Sequence, residues 1–239
     1  MLYPIERHTI VFLFALLLMA PQRLPATAVE DRSQATLSAA ATPVQRIRAL
    51  LALAEQRLDQ DPIGAYTHAQ DAVILAQRQH DRELEHEALL GLAEMEERLG
   101  LFEEVLQSTL KAVALAQALS SPALIAQDLQ LVSKAYLHTG EPEKAESEAR
   151  KALAMSLPTA DHASIAEARR CLMRTLLHSG AYAELWKVAW HGIDLARTQK
   201  DSLEEARFTR LLGASLLAQG KLNDARTYLV AAEGILSRS

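Results

Sequence analysis

A register of 40 residues runs through this sequence and leaves few folds open to it. One position of the register holds Gln60, Gly100, Gly140, Gly180 and Gly220. Five residues later stand Ala65, Val105, Ala145, Leu185 and Ala225, and seven beyond those Ala72, Ala112, Ala152, Gly192 and Ala232. Earlier in each unit come Ala52, Leu92, Val132, Leu172 and Leu212. Self-similarity at a fixed period means repeated supersecondary units, none of which can bury its apolar face alone, stacked into one continuous core. A stretch such as KAYLHTGEPEKAESEARKAL (134–153) reads as a helix end, a turn that needs the positive φ glycine allows, and a second helix whose small residues admit a close neighbour.

The helix starts keep the same register. Asp81, Ser121, Asp161 and Asp201 are N-cap residues, with Pro122 at a first helical position. Thr42-Pro43 is the first entry, and Asp61-Pro62 and Glu141-Pro142 open second helices. Composition agrees: 49% hydrophobic residues with only 5% aromatic, and few Gly or Pro, favours helix over strand. These features predict five helix pairs, at about 42–80, 81–120, 121–160, 161–200 and 201–239, within a helical domain over 42–239.

The pattern resembles the tetratricopeptide repeat (TPR), whose units pair two antiparallel helices with small residues at fixed places. The period is six residues longer than that family's usual one. In this it is similar to the long-helix subclass of maltose-regulator-like activators and of the sensor regions of bacterial kinases and cyclases. The resemblance covers about residues 43–237 and implies an all-α, right-handed superhelical solenoid. Gln60 in place of the turn Gly, Val105 and Leu185 in place of Ala, and a missing early Trp depart from the family pattern.

The N-terminus follows different rules. Thr9 to Ala20 is an apolar run too short to span a bilayer comfortably, preceded by Arg7 and followed by Pro21, Pro25 and Ala26-Thr27-Ala28. This is the pattern of a secretory signal peptide over 1–28, cleaved after Ala28, with an uncleaved anchor as the alternative. Residues 29–41 read as a linker. The mature chain would be periplasmic or secreted and would carry 23 basic and 29 acidic residues, a balance that argues against nucleic acid. The membrane would be met only through the export signal. Cys171 shares its register position with Leu51, Gly91, Leu131 and Leu211, which points to the core rather than to a reactive thiol.

Motifs for catalysis are missing. There is no phosphate-binding loop, dinucleotide fingerprint, zinc-protease helix or nucleophile elbow, so no enzyme and no cofactor is expected. His80 and His86 are spaced wrongly for a shared metal ion, and Glu94, Glu96 and Glu97 read as a solvated face.

Two surfaces are candidates for binding. The resemblance implies a concave groove lined by the first helix of each unit. Transferred position by position, it offers Glu87, Leu90, Glu94 and Glu97; Gln127, Gln130, Lys134, Leu137 and His138; Glu167, Arg170, Arg174, Leu177 and His178; and Arg207, Arg210 and Leu217. The trend from acidic to basic suits a protein or peptide ligand that is acidic or carboxylate-bearing, since Arg forks match carboxylates. The alternative is that these cations are solvated or paired with Glu167, Glu204 and Glu205. The second candidate is Tyr182, Trp186 and Trp190, one stripe at spacings of four. The resemblance puts Tyr182 in the core; Trp186 and Trp190 mark either a contact surface or burial against a neighbouring segment.

No polar capping helix follows the fifth pair, so Leu229, Val230 and Ile235 suggest an apolar end that a second copy covers as a homodimer, that another neighbour covers, or that belongs to a longer chain. The reading reached is an exported scaffold that binds a partner segment in its groove. The alternative is the extracytoplasmic sensor region, whole or truncated, of a bacterial kinase or cyclase system.

Overall fold

The computed structural model describes residues 42–159 and 161–237. The expected export signal (1–28), its cleavage site and the linker (29–41) lie outside the described residues. Ten α-helices follow one another among the described residues: α1 Pro43–Arg57, α2 Pro62–Gln79, α3 Arg82–Arg98, α4 Phe102–Ala118, α5 Pro122–His138, α6 Pro142–Ser156, α7 His162–His178, α8 Tyr182–Gln199, α9 Ser202–Ala218 and α10 Leu222–Leu236. A short 3₁₀ turn, Leu157–Thr159, follows α6. No strand occurs among the described residues. No helix there is long and apolar enough to cross a membrane.

The first helix of every pair, and α2, begin where a side chain satisfies the free amides, whereas α4, α6, α8 and α10 have no side-chain cap. Thr42 and Gln45 cap α1 reciprocally. Asp81, Ser121, Asp161 and Asp201 each accept from amides in the first turn of α3, α5, α7 and α9. Within a pair, the first helix closes on a left-handed glycine. At Gly140 (φ 80°) the Gly140 amide donates to Leu137 O and the Glu141 amide to Tyr136 O, so two otherwise unpaired carbonyls are satisfied. Gly100, Gly180 and Gly220 repeat this arrangement. Gln60 does not adopt a left-handed conformation; the amides of Gln60 and Asp61 both donate to Arg57 O, and Asp61 caps α2. Between pairs, the left-handed residues are His80, Ser120 and Lys200 rather than glycines.

Packing is sequential: every helix contacts the next, and the first helices also contact one another across units, α3 with α1, α7 with α5 and α9 with α7. The small register positions explain the close approach. Ala65, Ala145, Ala225, Ala72, Ala112 and Ala152 have essentially no exposed surface, and Leu185 and, nearly so, Val105 are buried as well. Gly192 shows how tight the fit is, since a β-carbon there would stand 2.5 Å from the Phe208 ring. Cys171 is buried with Leu172, Met173 and Leu176, as its register position predicts.

Candidate functional site

The groove positions fall on α3, α5, α7 and α9, the first helices of their pairs, and the structure sorts them. Between α3 and α5 lies a hollow of about 360 Å³. Leu90, Ala93, Leu131 and Ala135 give it apolar walls, α4 supplies Phe102, Val105 and Thr109, and Glu94, Glu97, Gln127, Lys134 and His138 stand around it. The His138 ring stacks on Phe102 with centroids 4.2 Å apart and planes within 5°. An apolar recess with a few polar groups at its rim is the usual make-up of a ligand pocket. A second hollow of about 290 Å³, between α1 and α3, shares Glu94 and is lined by Arg48, Leu51, Glu55 and Glu87.

Most groove charges are paired from one repeat to the next. Arg48 Nε reaches Glu87 Oε1 at 3.0 Å, and Lys134 pairs with Glu97. Farther along, Arg170 pairs with both Glu167 and Glu204, and Arg207 meets Glu204 at 2.6 Å. Arg170 is thus not the accessible groove cation that the sequence suggested: it is 7% exposed. Burial and the like charges of Arg207 and Arg174 push its pKa down to about 10, so it remains charged at neutral pH. Arg174 touches Glu167 only at 3.5 Å and stays exposed. Arg210 is exposed with no ion-pair partner among the described residues. Leu137 and Leu177 are half-buried, whereas His138 and His178 are exposed. Of the cations that the resemblance put at the basic end of the groove, Lys134, Arg170 and Arg207 are held by acids, and Arg174 and Arg210 are the exposed ones without a close acid.

Two further readings change. Glu96, expected on a solvated face, is 2% exposed. Burial in the main pushes its carboxyl up to about 7; Ser108 hydrogen-bonds to it, and Oε2 has no hydrogen-bond partner. Its register equivalents Tyr136, Leu176 and Leu216 show why the position is interior. Trp186 and Trp190 separate. Trp186 Nε1–H donates to Ser215 Oγ at 3.1 Å, and the indole meets Tyr228 edge-on at 5.5 Å, so it packs against the fifth pair. Trp190 remains 44% exposed. Sequence reasoning missed a buried pair altogether: His86 on α3 and Asp128 on α5, 2.8 Å apart. The signal was there, because the register places Ala126, Ala166 and Ala206 at the His86 position and Ala88 and Ala168 at the Asp128 position.

No protein-family model matches the sequence, and no curated protein matches it either. Among solved structures the chain is similar to BtubC (BKLC) from P. vanneervenii, with 17% identity over 89% of this chain and 92% of that one, at a TM-score of 0.74. It is similar to the kinesin light chain TPR-like repeats of Podosopora anserina, with 17% identity over 82% of this chain and 98% of that one, at 0.70. A Rap protein complexed with competence and sporulation factor aligns with 16% identity over 86% of this chain and 62% of that one, at 0.63. At these identities the likeness establishes the fold alone: a TPR-like solenoid of five antiparallel helix pairs.

Proposed function

We propose that this protein is an exported scaffold that holds a peptide or protein segment along its concave groove. The hollow between α3 and α5 carries the reading, because it joins apolar walls to polar groups on two successive repeats. An apolar side chain of the ligand enters it beside Phe102 and Leu131. Carboxylates farther along the same segment meet Arg174 and Arg210, the two exposed groove arginines whose charge is not already held by a close acid among the described residues. A concave solenoid face is the common place for such binding. The Rap complex, in which a solenoid of like fold holds a factor, supports the reading by analogy of fold. Export, to the periplasm or beyond, rests on Thr9 to Ala20 and the small-residue triplet after it.

Affinity capture with the native chain and with an Arg174→Glu/Arg210→Glu variant tests this. Both substitutions are on exposed side chains, so circular dichroism should be unchanged. Loss of the captured segment from the variant is the expected result; equal retention would overturn the basic end of the site.

A further inference from the structure

The outer face of α10 differs from every other second helix. In α2, α4, α6 and α8 one register position is filled by Val73, Val113, Leu153 and Ile193, against which the next pair's first helix packs. In α10 that position is Glu233, and it is exposed. Arg226 is seven residues earlier, also exposed, and neither residue has an ion-pair partner among the described residues. Seven residues are two turns, so both charges lie on one stripe about 10 Å apart. Leu222 (67% exposed), half-buried Leu229 and Val230 (57% exposed) lie along that stripe. Only Ala225 and Ala232 of α10 are buried in the chain itself.

A face made for one more repeat would carry an aliphatic residue at position 233. A face with an acid and a base spaced symmetrically about a leucine and a valine is complementary to itself. A two-fold axis between Leu229 and Val230 sets Arg226 against Glu233 of a second copy, and Glu233 against Arg226 of that copy. It also brings Leu229 to the second copy's Val230. Such self-complementarity is what an isologous interface requires. We infer that α10 is the seam of a homodimer, packed antiparallel on α10 of a second copy, with two equivalent Arg226–Glu233 pairs across it. The groove lies on the first helices and stays open in this arrangement, so each dimer presents two binding faces.

Sedimentation velocity of the full chain across the micromolar range tests this, with charge swaps to identify the seam. The native chain should dimerise. Arg226→Glu alone and Glu233→Arg alone each set like charges opposite one another and should weaken the dimer about tenfold. Arg226→Glu/Glu233→Arg together should restore it. A native chain that stays monomeric would overturn the inference, as would association that neither single swap weakens or that the double swap leaves weak. The groove variant Arg174→Glu/Arg210→Glu should dimerise normally, so failure of the seam and failure of the binding reading are separable.

Discussion

His86 Nε2 lies 2.8 Å from Asp128 Oδ2, with His86 only 5% exposed and Asp128 fully buried, and the contact joins α3 of the second pair to α5 of the third. Burial pushes the Asp128 carboxyl up, against the hydrogen bond from His86 that holds it down, and its Oδ1 has no hydrogen-bond partner. A buried pair of this kind costs desolvation on both sides, and removing one member leaves the other stranded. His86→Ala or Asp128→Ala should each destabilise the solenoid by about 3 kcal/mol. The fourth pair carries alanine at both register positions, Ala166 and Ala168, so the double variant should lose less than the sum of the singles. Urea midpoints of the four proteins measure this.

Glu96 gives stability a pH dependence of known sign. Its folded carboxyl titrates near 7, above the value of a free glutamate, chiefly because of burial; the Ser108 hydrogen bond opposes the rise, the charge of Glu104 adds to it and Lys111 opposes it. A raised carboxyl pKa means that its contribution is fully present below the unfolded value near 4.5 and is lost as pH climbs through 7. Native protein should therefore unfold at lower urea at pH 8 than at pH 5, with Glu96 contributing up to about 3 kcal/mol of the difference. In Glu96→Gln that part of the slope should vanish.

Arg170 and Arg174 are one turn apart on α7, yet they should respond differently to the same substitution. Arg170→Ala removes a buried side chain that pairs with both Glu167 and Glu204, leaving Glu204 only Arg207, and should cost about 2 kcal/mol. Arg174→Ala removes an exposed charge with one distant partner and should cost under about 0.5 kcal/mol. Thermal melts of the two variants distinguish them.

Glycine matters for two separate reasons. Gly140→Ala meets no atom within 4 Å and suffers only from the left-handed backbone, about 1 kcal/mol. Gly192→Ala has ordinary helical geometry but drives a methyl into Phe208, which is almost wholly buried. Overpacking of that kind costs about 1–3 kcal/mol. The shift in urea midpoint should be larger for Gly192→Ala, although alanine is the better helix former.

The architecture was legible in the sequence because caps, turn glycines and small residues are local requirements repeated at one period. Asp81, Ser121, Asp161, Asp201 and the four turn glycines each fixed a helix boundary without reference to any distant residue. What the sequence hid was long-range. Whether Arg170 is a groove cation or a buried one depends on Glu204, 34 residues away on the next first helix. Trp186 and Trp190 look equivalent until Ser215 and Tyr228 arrive beside only one of them. Glu96 shared a charged run with Glu94 and Glu97, and only comparison down the register, with Tyr136, Leu176 and Leu216, would have turned it inward.

Site-specific photocrosslinking tests the binding groove most directly. A benzophenone side chain replaces Gln127, exposed beside the hollow, and in a second protein replaces Lys151, exposed on the second helix α6. Irradiation in cells should give a discrete adduct from position 127 and none from position 151, and the 127 adduct should fade when Arg174→Glu/Arg210→Glu is added. An adduct from position 151 with none from 127 would contradict the groove as the site of binding.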